Sequence, residues 1–265
     1  MEPLLRVEKL VKHYAARSRV PFVALDDVTF SLDASSTLAI VGESGSGKST
    51  LALCIAALER PTSGDIFFNG ENHSVLPEPR LRSLRPQIQL VFQDPANSLN
   101  PRWSALEIVS EPLFLQRKLS RIQREARIFE LFDQVALPHT FASRRPSELS
   151  GGQKQRLAIA RSLSLEPKLL ILDEALSALD ASVQAQIVNL LLELQTSLRL
   201  SYLFITHDLA MAAFFADQIA VLSHGRIVES GLAAKIFSSP AHAATRSLLA
   251  ATPRLSSTSQ PPVNL

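Results

Sequence analysis

The stretch Gly42-Glu43-Ser44-Gly45-Ser46-Gly47-Lys48-Ser49-Thr50 constrains this chain more than any other. It fits the pattern G-x-x-x-x-G-K-[ST], which works where a buried strand feeds a tight turn that opens a helix. The flanks supply both, since Thr37–Val41 (TLAIV) reads as a buried strand and 50–58 (TLALCIAAL) as an apolar helix. Glycines let backbone N–H groups turn inward around phosphate oxygens, and the helix N-terminus adds a positive dipole end. Lys48 is placed to neutralise β- and γ-phosphates, and the Ser49 hydroxyl to complete a Mg²⁺ shell. A Gly-rich turn without a ligand is the plain alternative, and the strand and helix around it count against it. The expectation is a nucleoside triphosphate site on an α/β scaffold.

Residues 169–174 (LLILDE) form an apolar run ending in two acids. A buried parallel strand with carboxylates at its C-terminal edge is where an open α/β sheet places ligand chemistry. Asp173 is expected to hold Mg²⁺, mostly through water, and Glu174 to polarise an attacking water. Acids at a strand end are often only helix caps, and the phosphate loop upstream favours the metal role. Leu149-Ser150-Gly151-Gly152-Gln153 then precedes a helical pattern over 153–164. Two glycines and a serine at a helix start make a second anion site. One catalytic nucleotide does not need two cradles in one chain, so the second is expected to serve a partner's ATP.

With these motifs the chain resembles the ATP-binding cassette ATPases of ABC transporters. LSGGQ is similar to their signature, and GESGSGKST and LLILDE to their Walker A and Walker B segments. Gln93 in VFQDP resembles the Q-loop glutamine, Asp180 in SALD the D-loop aspartate, and His207 in FITHD the switch histidine. Tyr14 in LVKHY sits where these proteins stack an aromatic ring on adenine. The resemblance covers roughly residues 4–253. Within the family, FQDPANSLNPR at 92–102, EIVSEPL at 107–113 and LDEALSALDASVQAQI at 172–187 are similar to the oligopeptide, dipeptide and nickel importer subfamily. The tail HAATRSLLAA at 242–251 departs from that subfamily, with Ala243 and Ala244 where it has Pro-Tyr, which puts the tail's usual packing in question.

The resemblance implies a fold with a mixed core sheet, an N-terminal antiparallel β region and an inserted helical subdomain near 94–166, the cassette occupying 1–253. It implies ATP and Mg²⁺ as ligands, with Ser49, Gln93 and Asp173 around the metal. Glu174 would activate water, with His207 contacting the γ-phosphate and positioning Glu174. Ser150, Gly151, Gly152 and Gln153 would act in trans. Implied partners are two integral-membrane permease subunits, a second ATPase that is a paralogue or a second copy, and an external solute-binding protein. The site of action would be the cytoplasmic face of a bacterial inner membrane. Residues 94–102, with two prolines and two asparagines, read as a rigid exposed loop suited to a coupling helix.

Bulk properties agree with a globular ATPase. The chain has 265 residues, 46% apolar and 20% charged, with a net charge of +2, which gives no electrostatic footprint for nucleic acid. The basic runs RLRSLR at 80–85 and Arg144-Arg145 read as solvated faces. No apolar stretch approaches the ~18 residues of a membrane span, and the N-terminus lacks a secretion pattern. The single Cys54 falls in the helix after the cradle and reads as a core residue of a protein kept reduced.

Strands are expected at 4–11, 24–32, 65–69, 89–92, 169–172, 202–205 and 219–222, the last four in a parallel sheet. Helices are expected at 122–135, 153–164 and Ala181–Leu198, and disorder over 254–265, where Ser, Thr, Pro and Gln dominate. A soluble cassette acting in DNA repair or on ribosomes is the rival from another class. The span between cradle and signature is too short for a long coiled coil, and one set of motifs is present. A P-loop kinase or GTPase gives no reason for LSGGQ, and exporters commonly fuse the cassette to membrane spans. Peptides, nickel or metal chelates, opines and glutathione all fit as solutes.

Overall fold

A computed structural model describes residues 2–15, 22–93, 98–116 and 119–251. In chain order the elements are β1 (Leu5–Tyr14), β2 (Phe22–Leu32), β3 (Thr37–Val41), α1 (Lys48–Ile55), β4 (Ser63–Phe68), β5 (Glu71–Asn72), α2 (Glu78–Leu84) and β6 (Ile88–Val91). Three helices follow, α3 (Ala105–Gln116), α4 (Arg121–Gln134) and α5 (Gly151–Leu163). The chain then returns to the sheet through β7 (Leu169–Asp173), α6 (Ala181–Leu198), β8 (Ser201–Thr206), α7 (Leu209–Phe215), β9 (Gln218–Ser223), β10 (Arg226–Leu232), α8 (Ala233–Ser238) and α9 (Ala243–Ala251).

Two sheets result. Strands β2-β1-β4-β5 form an antiparallel sheet and β10-β9-β3-β8-β7-β6 a mixed one. In the second, β6, β7, β8, β3 and β9 run parallel, and β10 pairs antiparallel with β9. The apolar runs are continuous because both faces of these strands are covered. Successive side chains point to opposite faces. Ala39, Val41, Leu170, Leu172, Tyr202 and Phe204 therefore enter one core, shared with α3 to α7. Leu38, Ile40, Leu169, Ile171, Leu203 and Ile205 enter the other, where α1 lies between the two sheets. Each Val, Leu, Ile or Phe among them contributes roughly 1.5–3 kcal/mol of burial.

Strand and helix positions follow the apolar patterning, with informative differences. Helix α1 begins at Lys48, ahead of the expected start at Thr50, because Gly47 in the left-handed region (φ 107°) serves as its N-cap and brings Lys48 and Ser49 into the first turn. Strand β10 was not legible in RIVESGL, since an edge strand keeps polar, half-exposed positions. The helices between β6 and β7 match the expected helical pattern there, and α4 opens with a Ser120–Gln123 capping box.

Despite Ala243 and Ala244, the C-terminal motif is a docked helix. The Glu229 carboxylate of β10 accepts hydrogen bonds from the Ala241 and His242 amides, at 2.8 and 2.9 Å, and from the Thr245 hydroxyl. Thr245 and Leu248 are buried beneath α9. The expected disorder at 254–265 and part of the 94–102 loop, residues 94–97, lie outside the described residues.

Candidate nucleotide site at the carboxyl edge of the core sheet

Strand register decides which side chains meet. Strand β8 lies between β3 and β7, pairing Val41 with Thr206 and Asp173 with Ile205. The turns after β3, β8 and β7 therefore leave the same sheet edge side by side. Beyond β7, Val91 of β6 pairs with Leu172, so Gln93 emerges at the outer end of that row. Open α/β sheets bind ligands in this crevice outside the strand ends.

The loop at 42–50 is folded tightly. A Cβ on Gly42 would lie 2.2 Å from the Leu222 carbonyl oxygen, and one on Gly47 would lie 2.4 Å from that of Ala24. Gly45 also adopts a positive φ of 78°. Glu43, Ser44 and Gly45 are exposed, Thr50 is half-buried, and the buried Ser46 hydroxyl has no hydrogen-bond partner. Lys48 is 4% exposed. Its ammonium donates to the Gly42 and Glu43 carbonyls at 2.8 and 2.7 Å and lies 3.9 Å from Glu174 Oε1. Burial pulls this ammonium below its usual value, while the carboxylates of Glu174, Asp173 and Glu43 oppose the shift.

Burial pushes the Asp173 carboxyl up, the Ser49 hydroxyl bond works against that shift, and Glu174 adds to it. Asp173 Oδ1 is buried without a hydrogen-bond partner. An uncompensated buried carboxylate oxygen is costly, and beside the Ser49 hydroxyl it forms a hard oxygen donor pair that fits Mg²⁺. Glu174 follows with φ 47°, a left-handed conformation costing a non-glycine residue roughly 1 kcal/mol. That turn lets its amide donate to Ile205 O at 2.9 Å and leaves its carboxylate between Lys48 and His207 Nδ1, the latter at 3.6 Å. Strain of this kind persists where surroundings over-determine it, as at catalytic sites. His207 is exposed, directly before Asp208, which caps α7 through the Ala210 and Met211 amides.

Other expected residues stand apart from this cluster. Ser150 caps α5, its hydroxyl accepting from the Gln153 amide at 3.4 Å while Gln153 Oε1 accepts from the Ser150 amide at 2.9 Å. The Gly151 and Gly152 amides belong to a helical first turn, which has no intrahelical acceptor to offer. A Cβ on Gly152 would lie 2.6 Å from Val183 Cγ1, so this turn packs on the start of α6. Asp180 caps α6, with Oδ1 taking the Val183 amide at 3.0 Å and the Ser182 hydroxyl at 2.7 Å. Tyr14 ends β1, half-exposed, with Lys12 Nζ 4.9 Å from its ring centre.

Three neighbours of the site were given no role by motif reading. His224, in the β9–β10 turn, lines a cavity of about 170 Å³ with Glu43, Ser46 and Ala244. Ser177 and Gln184 line another beside Glu174 and His207. Ser177 and Gln184 fall inside the stretch 172–187 without a role read for them, and for His224 the turn glycine Gly225 was the one local sign.

A sequence profile described as "ABC transporter" matches residues 25–177. The chain is 47% identical over 258 residues to a probable peptide ABC transporter ATP-binding protein of Sinorhizobium fredii, covering 95% of this chain and 73% of that one. It is 44% identical over 259 residues to the dipeptide transport ATP-binding protein DppF of Haemophilus influenzae, covering 96% and 79%. Among solved structures it resembles a dimeric post-hydrolysis state of the ATP-binding cassette MJ0796 bound to ADP and Pi. That similarity has a TM-score of 0.79 at 31% identity and covers 86% of this chain and 98% of that one.

Proposed function

The chain belongs to the ABC transporter family and is an ATP-hydrolysing cassette, and we propose that it powers uptake of peptides, or of a related small solute, as the ATPase subunit of an importer. The observation that carries this reading is the 44% identity to a dipeptide transport ATP-binding protein over 96% of the chain. The row of Lys48, Asp173, Glu174 and His207 along one sheet edge supplies the chemistry.

In this reading Tyr14 stacks on adenine, and the amides of residues 42–50 hold the phosphates. Lys48 exchanges its contact with Glu174 for β- and γ-phosphate oxygens, so the carboxylate is released toward the attacking water. Ser49, Asp173 and Gln93 would hold Mg²⁺, which supplies charge neutralisation across the phosphates. Glu174 accepts a hydrogen bond from the water and orients it, and His207 holds Glu174 in place and donates to the γ-phosphate. Ser150, Gly151, Gly152 and Gln153 of one chain complete the phosphate shell of the other, with Asp180 at the junction, so nucleotide joins two cassettes.

The second cassette is a related paralogue or a second copy, and the pair works with two permease subunits and an external solute-binding protein. No described helix is long and apolar enough to cross a membrane. Attachment at the cytoplasmic face of a bacterial inner membrane would come through the permeases. A groove of about 800 Å³ between α2, α3 and α4, lined by Leu113, Leu119 and Gln123, supports that docking; exposed Phe114, Leu115 and Ile122 lie on the same helices. The helices between 94 and 166 act as the insert that carries α5. Affinity purification from membranes with mass spectrometry tests the assignment. Permease subunits and a solute-binding protein are expected, and recovery of ribosomes or DNA-repair factors without a permease would overturn it.

A further inference from the structure

Helix α5 ties the second cradle to the core sheet. Arg156 Nη1 donates to the Val135 carbonyl after α4 at 2.7 Å, and Arg161 pairs with Glu111 of α3 at 2.9 Å. Ala158, Arg161 and Ser162 line a space of about 10 Å³ with Val91 and Phe92. Gln155 stands one turn before Ala158 on that face. It is fully buried, and neither Oε1 nor Nε2 has a hydrogen-bond partner. A methionine would fill the same space without the desolvation cost of an unpaired amide, so the polar group calls for an explanation.

Strand β6 is an edge strand whose ladder with β7 ends at Val91 and Leu172. Phe92 and Gln93 leave the sheet there, both exposed. We propose that Gln155 is a positioning residue for Gln93. Its amide pairs with the Phe92–Gln93 main chain when a partner's nucleotide seats on the turn at 150–153, and this fixes Gln93 toward the metal side of the site. A ligand shifts an arrangement only through an interaction that differs between states, and an amide unpaired in one state and paired in the other supplies it. The inference rests on the trans reading of 150–153 and the metal-side reading of Gln93.

The test is Gln155→Met, measured in the isolated chain and in the assembled transporter. The isolated variant should melt about 2–4 °C higher, because an unpaired buried amide is gone. In the transporter, kcat should fall about tenfold with KM for ATP unchanged, the pattern of an interaction made only after binding. Gln155→Asn, which keeps an amide on a shorter stem, should recover part of kcat without the thermal gain. A higher melting temperature with unchanged kcat would show the amide to be idle. A lower one would show that ordered water already satisfies it, and either result overturns the proposal. Glu174→Gln, run alongside, separates the two readings: turnover retained there sinks the catalytic assignment itself, whereas its loss beside an unchanged Gln155→Met sinks only the role of Gln155.

Discussion

Glu174 and Lys48 sit 3.9 Å apart, yet their substitutions should fail in different ways. Glu174→Gln keeps the shape and hydrogen-bonding reach of the side chain but loses the acceptor strength that the proposed role, orienting water, requires. ATP affinity should stay within about twofold, while turnover falls by roughly 10²-fold or more. Lys48→Ala removes the charge proposed to face the β- and γ-phosphates, so nucleotide binding itself should weaken by about tenfold or more. Equilibrium binding of a fluorescent ATP analogue, alongside phosphate release, separates the two; retained turnover in Glu174→Gln would remove that carboxylate from catalysis. At this scale much of the candidate site was legible, because a phosphate loop needs glycines, a lysine and a hydroxyl at fixed spacing. Not legible were the left-handed backbone of Glu174 and the carbonyl grip on Lys48, which depend on neighbouring strands rather than on local residue type.

The β4–β5 hairpin and the 3-10 turn after it show what elements add. Asn72 caps the turn His73–Val75 by accepting from the Ser74 amide, and Ser74 in turn accepts from Ile66 of β4. This rigid corner buries His73 to 3% exposure with Nε2 unpartnered, and burial pulls its imidazole down to about 4. The folded value lies below the unfolded one near 6.5, so the unfolded chain binds the extra proton and stability falls as pH drops between them. The loss should reach roughly 3 kcal/mol by pH 4. Denaturant unfolding at pH 7 and pH 4.5 should show a smaller acid-side loss in His73→Gln than in the parent, and equal losses would contradict the burial argument. Apolar runs revealed the core strands because both sheet faces are covered. Half-exposed β10 and the short helices α7 and α8 carry little periodicity, so packing rather than pattern defines them.

Across the whole molecule, the proposed catalytic row and the turn at 150–153 occupy different parts of the fold. The row gathers at the ends of β6, β7, β8 and β3, whereas the second cradle opens α5 and packs on the start of α6. There the Ser150 hydroxyl accepts from the Gln153 amide and Gln153 Oε1 accepts from the Ser150 amide. Order along the chain made both cradles visible, and the second was unexplained by a single nucleotide. How Arg156 and Arg161 fasten α5 to the end of α4 and to α3 was not visible, since those contacts join segments far apart in sequence. The central claim is that two chains each supply half of an ATP site. Ser150→Arg tests it most directly, by placing a bulky side chain at the start of α5 without touching the loop at 42–50. Nucleotide binding by the isolated chain should stay near the parent value, while hydrolysis by the assembled complex falls by roughly 10²-fold, the cost of spoiling oriented donors. Loss of binding in the isolated chain comparable to that of Lys48→Ala, or full hydrolysis in the complex, would contradict it.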